Sequence, residues 1–201
     1  MGDEAAGKPP VVILREETSV TSGTAVQEKL IAAARVFGDL LRPTYGPRGL
    51  DKMLYKTDGT TAVTNDGAKI VAELMVKHPA AKMFAAMAES QENTCGDGVT
   101  GTLLFSAELL IEANRLLQKG LHPLTVVDGY NLANIIAQET ISNCAIASTP
   151  ESLQKVAITS LTGKSAEGAA STLSQMIVEA LNIVEGDVDS ITMHKTNTGS
   201  L

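Results

Sequence analysis

The sequence predicts a mainly α-helical protein carrying only small pairs of β-strands. Three observations lead there. Apolar residues recur at three- and four-residue intervals over most of the chain, the spacing of one face of an α-helix. The apolar set, 44% of 201 residues, is dominated by Ala, Leu, Ile, Val and Met, with aromatics at 3% and no Trp, and such a core suits close helix packing better than a β-sandwich. The few strand-like stretches are short and separated by helices, and the chain has no internal repeat or low-complexity tract.

Residues 1–10 read as a flexible tail, and Val11-Val12-Ile13-Leu14 is a short apolar run suited to an edge strand. A helix is expected over 25–41, where Val26, Leu30, Ala33, Phe37, Leu40 and Leu41 share a face. Arg42-Pro43 stops it, because the residue before proline avoids the helical region. After the turn-rich stretch 44–49, strands are expected over 53–55 and 61–64, joined through the turn signal Lys56-Thr57-Asp58-Gly59. Asn65-Asp66-Gly67 caps a helix running to about Val76. His78-Pro79 punctuates before a helix over 80–92, in which Met83 and Met87, with Met75 just before, are expected to fill core. A long helix follows the second glycine loop and ends at Gly120. His122-Pro123 opens another, to about Ser142, and Ser148-Thr149-Pro150-Glu151 opens a third with a hydroxyl cap followed by proline. A helix over 167–184 and a strand over 190–195 complete the expectation.

The net charge is −7, so the chain lacks the general electrostatic pull toward nucleic acid that a basic chain has. The N-terminus has no basic segment followed by an apolar stretch, and the sequence has no apolar run of spanning length, so neither a secretory signal nor a transmembrane helix is expected. The two cysteines, Cys95 and Cys144, do not make a disulfide framework and read as reduced thiols. These features describe a soluble cytoplasmic protein without nucleic-acid or membrane partners. His78, His122 and His194 stand far apart, His78 and His122 each before proline as in turns, and no Cys/His spacing matches a zinc site.

Three glycine-bearing loops are the candidate chemistry: 44–49, 64–67 and 96–100. Glycine lets a backbone turn sharply and lets a ligand approach the amides, and free amides at a helix start suit phosphate. Asp97 is informative, because a carboxylate beside a triphosphate repels it unless Mg²⁺ lies between them. Asp66, on a different loop, could orient a water or the metal shell, and two acids so placed suit metal-assisted phosphoryl transfer. Gly-Asp-Gly and Asn-Asp-Gly also occur in ordinary capped turns, and spacing alone leaves both readings open. The Gly163-Lys164-Ser165 stretch looks like a P-loop tail, but Ile158 stands where that motif needs glycine and the preceding segment reads as helix. Lys164 remains either a loop cation within reach of a phosphate or a solvated surface lysine.

The loops in this order resemble the group II chaperonins, the archaeal thermosomes and the eukaryotic cytosolic ring chaperonin. The matching stretches are Arg42-Pro43-Thr44-Tyr45-Gly46-Pro47-Arg48-Gly49-Leu50-Asp51-Lys52-Met53, Thr64-Asn65-Asp66-Gly67-Ala68, His78-Pro79-Ala80-Ala81-Lys82, Gly96-Asp97-Gly98-Val99-Thr100, Gly120-Leu121-His122-Pro123 and Thr159-Ser160-Leu161-Thr162-Gly163-Lys164. The resemblance implies an ATPase subunit that assembles with other subunits into a double ring and uses ATP and Mg²⁺ to fold unfolded client proteins. It implies that residues 1–145 are the N-terminal part of an equatorial ATP-binding domain, a helical bundle, and that 146–201 begin an α/β intermediate domain. The apical client-binding domain and the return segments, with a second catalytic aspartate, would lie outside this N-terminal portion. By the same resemblance Thr44, Tyr45, Gly46 and Pro47 contact the nucleotide, as does Asn65. Asp97 holds Mg²⁺, and Gly98, Val99, Thr100 and Gly101 wrap the phosphates. Asp66 is the catalytic aspartate, and Lys164 senses the terminal phosphate. Two positions depart from the family pattern, which usually has Thr at Val99 and Ser or Thr at Gly101. These departures leave a second reading, a short paralogue that binds nucleotide or ring neighbours without hydrolysis.

Overall fold

The structure, a computed structural model, describes residues 20–55, 59–74, 78–164, 166–194 and 196. It is mainly helical with a single antiparallel strand pair among these residues, as the sequence predicts. The expected edge strand at residues 11–14 lies outside the described residues.

Helix α1 spans Thr24–Leu41 and buries Ile31, Ala34, Phe37 and Leu41. The strands β1, Lys52–Tyr55, and β2, Thr61–Thr64, pair antiparallel with Met53 opposite Val63. Their alternation is visible in burial: Leu54 packs against the core, while Met53, Tyr55 and Val63 face outward. Residues 56–58, which carry the expected turn, lie outside the described residues. Helix α2, Gly67–Glu73, is shorter than expected, because Leu74 is already in the extended region.

Helices α3, Pro79–Cys95, α4, Val99–Gln118, and α5, Pro123–Cys144, follow. The two histidines before proline are N-caps: His78 Nδ1 accepts from the Ala80 amide and His122 Nδ1 from the Leu124 amide, each at 3.2 Å. Proline at the first helical position costs nothing there, since its missing N–H would have had no intrahelical partner. Helix α6, Pro150–Leu161, opens with a reciprocal capping box between Thr149 and Ser152. It runs as helix straight into Thr162, so Gly163-Lys164 follows a helix and not the strand a P-loop requires. Helix α7, Ala170–Ile183, is preceded by a 3₁₀ turn at Glu167–Ala169 and packs on α6.

The core lies where α1, α3 and α4 meet and α2 closes over them. Phe37 and Phe84 stack with centroids 5.0 Å apart, and Ile70, Val71, Ala88, Leu103 and Ala107 surround them. Ala80, Phe84 and Ala88 form the buried stripe of α3. Met87 packs against that stripe, whereas Met83 is 64% exposed, so the expectation that it fills core is corrected: it sits beside the stripe and turns to solvent. Met75 lies outside the described residues.

Two further points concern the later helices. Helix α5 buries only Val126 and leaves Leu132, Ile135, Ile136 and Ile141 exposed. The Tyr130 hydroxyl ties it to α4 by donating to the Leu109 carbonyl at 2.6 Å, and burial, then the charge of Glu112, holds that hydroxyl above the usual tyrosine range so that it stays a donor. The strand expected over 190–195 is not formed in its described part. Val188–Ser190 is a 3₁₀ turn and the residues from Ile191 to His194 are in no ladder, because a strand is stable only against a partner strand and none pairs with it among the described residues.

Candidate functional site

Four loops converge on one cleft of about 210 Å³ at the N-terminus of α4. The first follows α1. A 3₁₀ turn at Arg42–Thr44 carries the chain out of the helix, and the buried Thr44 donates its hydroxyl to the Leu41 carbonyl at 2.7 Å. The loop then closes on itself through Gly49 N–H to Gly46 O and Leu50 N–H to Pro43 O, both 2.9 Å. The closure brings Gly49 against backbone: a Cβ there would lie 2.1 Å from the Thr44 carbonyl oxygen. Arg42 reaches across to pair with Glu108 of α4.

The second loop joins β2 to α2. Asp66 is the N-cap of α2, its Oδ1 accepting from the Ala68 amide at 2.9 Å and the Lys69 amide at 3.2 Å. Gly67 sits directly against α4, where a Cβ would lie 2.2 Å from Thr100 Oγ1 and 3.1 Å from Thr100 Cα. Only a residue without a side chain lets the start of α2 pack onto the start of α4 and so bring Asp66 beside the third loop.

That third loop joins α3 to α4. Gly96 ends α3 in the left-handed conformation and its amide donates to the Glu92 carbonyl at 2.9 Å. Asp97 is held at both ends, its carbonyl accepting from Gln91 Nε2 at 2.9 Å and its Oδ1 from the Gly98 amide at 2.8 Å. Helix α4 begins without a side-chain cap, and Thr102 N–H to Gly98 O is the first backbone bond of the helix. The amides of Val99, Thr100 and Gly101 therefore have no intrahelical acceptor and carry the positive end of the helix dipole into the cleft. The fourth loop, from Thr162 to Lys164, is tied to the second by Asn65 Nδ2 donating to the Gly163 carbonyl at 3.3 Å.

Of the residues singled out by sequence, Thr44, Tyr45, Gly46, Asn65, Asp66, Asp97, Gly98, Val99, Thr100, Gly101 and Lys164 line this cleft, and Pro47 does not. Tyr45 is 61% exposed and its hydroxyl approaches Gly101, lying 3.5 Å from where a Cβ would be. Gly67, Gly96, Glu92 and Thr162 complete the wall. Gly67, Gly96 and Thr162 stand inside the matched motifs and could have been found there; Glu92, in the last turn of α3, carries no signal in the sequence.

The electrostatics of the cleft are mixed. Asp66, Glu92 and Asp97 face it, and Lys164 is the one basic residue on its wall among the described residues. The α4 amides suit phosphate, yet three carboxylates repel it. A hard divalent cation that takes several oxygen ligands reconciles the two, binding one or two carboxylates and the phosphates together. No cluster of three metal-ligating side chains occurs among the described residues, so the donor set fits a Mg²⁺ shared with a ligand and not a protein-only cage. The residues present fit a Mg²⁺–nucleotide.

The Val99 side chain is 5% exposed and belongs to the hydrophobic core, although its edge reaches the cleft. Val99→Thr is therefore expected to cost the free chain roughly 1–2 kcal/mol of stability and so to lower its melting temperature, since a valine-to-threonine exchange is not neutral in a core. If the cleft takes a phosphate ligand, the variant is also expected to increase the stabilisation which that ligand confers, because the edge of this side chain reaches the cleft. Melts with and without Mg²⁺–ATP test this; an unchanged ligand-induced shift means that the hydroxyl adds no contact to the ligand.

Residues 37–201 match the family model described as the TCP-1/cpn60 chaperonin family. The chain belongs to that family. It is 39% identical to thermosome subunit alpha of Halobacterium salinarum over 97% of this chain and 36% of that protein. It is 44% identical to a thermosome subunit of Methanothermococcus thermolithotrophicus, over 92% of this chain and 35% of that one. A further relative, thermosome subunit alpha of Methanothermobacter thermautotrophicus, is 41% identical over 91% of this chain and 34% of that one. The likeness is thus to group II chaperonin subunits, and the chain spans about a third of their length. No helix among the described residues is long and apolar enough to cross a membrane.

Proposed function

We propose that the cleft binds Mg²⁺–ATP and that the chain is the nucleotide-binding part of a chaperonin subunit that hydrolyses ATP to fold client proteins within a double ring. One observation carries this: loops from four separate parts of the chain meet at the uncapped start of α4, with a carboxylate, Asp97, beside its free amides. In this reading residues 1–145 belong to an equatorial domain and 146–201 begin an intermediate domain, with α6 and α7 packed on each other. The subunit works in the cytoplasm.

The geometry supports these roles. The amides of Val99, Thr100 and Gly101 hold phosphate oxygens through the helix N-terminus. Asp97 is fixed by Gln91 and Gly98 so that its carboxylate can reach Mg²⁺, which when bound neutralises phosphate charge and polarises the bond to be broken. Asp66 spends Oδ1 on the α2 cap, and Oδ2, which takes no hydrogen bond among the described residues, can orient an attacking water. Thr44, its hydroxyl proton committed to Leu41, can only accept from a ligand, while Lys164 supplies the wall's cation. Titrating residues 1–201 with a fluorescent ATP analogue in Mg²⁺ is expected to give saturable binding that unlabelled ATP and ADP displace. Absence of saturable binding defeats the reading.

A further inference from the structure

The backbone of Gly163 is held on both sides. Its N–H donates to Glu167 Oε2 at 3.1 Å, and its carbonyl accepts from Asn65 Nδ2 at 3.3 Å. The residue is left-handed, with φ of 77°, so the chain reverses at this point and presents the next residue, Lys164. That residue is itself closed by two backbone bonds, its amide to the Leu161 carbonyl at 3.2 Å and its carbonyl to the Glu167 amide at 3.0 Å. One anchor therefore lies on the loop that carries Asp66, and the other on the turn that starts toward α7.

Lys164 borders two hollows. One is the cleft; the other is an adjoining cavity of about 390 Å³, where Lys155 and Thr159 form part of the wall. A long, flexible ammonium side chain can occupy either. The position of its backbone decides which hollow it serves, and the two bonds to Gly163 help to set that position together with the two that Lys164 makes itself.

We propose that Glu167 and Asn65 are positioning residues that hold the Gly163 backbone so that Lys164 delivers its charge into the cleft. This inference rests on the nucleotide reading of that cleft. Lys164 is the one ammonium on the wall among the described residues, so an added phosphate set beside it gains an attraction that the shorter analogue lacks. The clamp thereby sets the preference for ATP over ADP. Glu167 is not on the wall of the cleft, and its side chain acts through Gly163.

The test compares ATP and ADP affinities in Mg²⁺ for the wild-type chain, Lys164→Ala, Glu167→Ala, Glu167→Gln and the double alanine variant, with amide hydrogen exchange at Gly163 measured in parallel. Lys164→Ala is expected to reduce the ATP-over-ADP preference about tenfold, as the loss of one charge-assisted contact does. Glu167→Ala is expected to reduce it by a similar factor, to leave ADP affinity unchanged and to speed Gly163 exchange even without nucleotide. The double variant should be no worse than either single one. Glu167→Gln, whose amide oxygen still accepts from Gly163, should behave as wild type. A Glu167→Ala chain that keeps its preference while Lys164→Ala loses it overturns the inference and leaves the nucleotide reading standing. Equal losses of ATP and ADP affinity in Glu167→Ala also overturn it, since they indicate a general loosening. A wild-type chain that binds neither nucleotide sinks both together.

Discussion

Asp97→Asn is expected to erase the Mg²⁺ dependence of ATP binding. In the wild-type chain the metal should raise ATP affinity strongly, because without it the triphosphate faces Asp66, Glu92 and Asp97, offset among the described residues by Lys164 and the free α4 amides. Neutralising Asp97 removes a metal ligand and one repulsive charge together. Affinity in Mg²⁺ should therefore fall by about 10²-fold, in keeping with the several kcal/mol that a bound metal contributes to phosphate charge stabilisation. Affinity in a chelator should rise slightly, so that the two values converge. The fold should be spared: an Asn carbonyl can still accept from the Gly98 amide, and an exposed polar exchange of this kind changes stability by about 0.5 kcal/mol or less. Calorimetry with Mg²⁺ and with a chelator checks the prediction. An Asp97→Asn chain that retains the wild-type metal dependence places the metal on another carboxylate.

Gly49→Ala should be the most damaging of the small substitutions around the cleft. Its added methyl would lie 2.1 Å from the Thr44 carbonyl oxygen and 2.6 Å from the Thr44 carbonyl carbon. Both are backbone atoms of a turn already closed by two hydrogen bonds, so no side chain can swing aside to make room. Overpacking of this kind costs about 3 kcal/mol or more, which for a chain of this size lowers the melting temperature by roughly 6–12 °C. The displacement falls on Thr44 and Tyr45, so nucleotide affinity should fall with stability. Gly168→Ala is the control, since a methyl there meets nothing within 4 Å. A Gly49→Ala chain that melts like wild type shows that the loop relaxes in a way the packed structure does not suggest.

What could be read from the sequence is what is encoded locally. Helix starts at Pro79, Pro123 and Pro150 were legible because proline at the first helical position follows a capping residue within one or two residues of chain. The glycine loops were legible because Gly46, Gly96 and Gly98 adopt positive φ, which few other residues tolerate. The convergence of the loops was not local. Asn65 and Gly163 are 98 positions apart, and nothing in either stretch reveals the bond between them; only the likeness to a family placed them in one site. The strand expected over 190–195 is not formed in its described part for the same reason. Alternation is a property of the segment, but pairing is a property of its neighbours. Val99 shows a subtler limit: the motif assigns its position to the phosphates, yet most of its side chain is buried in the core and only an edge reaches the cleft.

Asp66 divides the same way between its two oxygens, and this shapes which variants selection can retain. Removing the cap with Asp66→Ala costs about 1 kcal/mol, so a population carrying that change is penalised for instability before any loss of chemistry is felt. Asn is the exception: it caps a helix as well as Asp does, it keeps the amide contacts, and a single base change in the codon reaches it. Under the role proposed for Asp66, drift away from hydrolysis would therefore leave a recognisable trace, an asparagine at position 66 in an otherwise well-kept fold, whereas selection for turnover would keep the carboxylate.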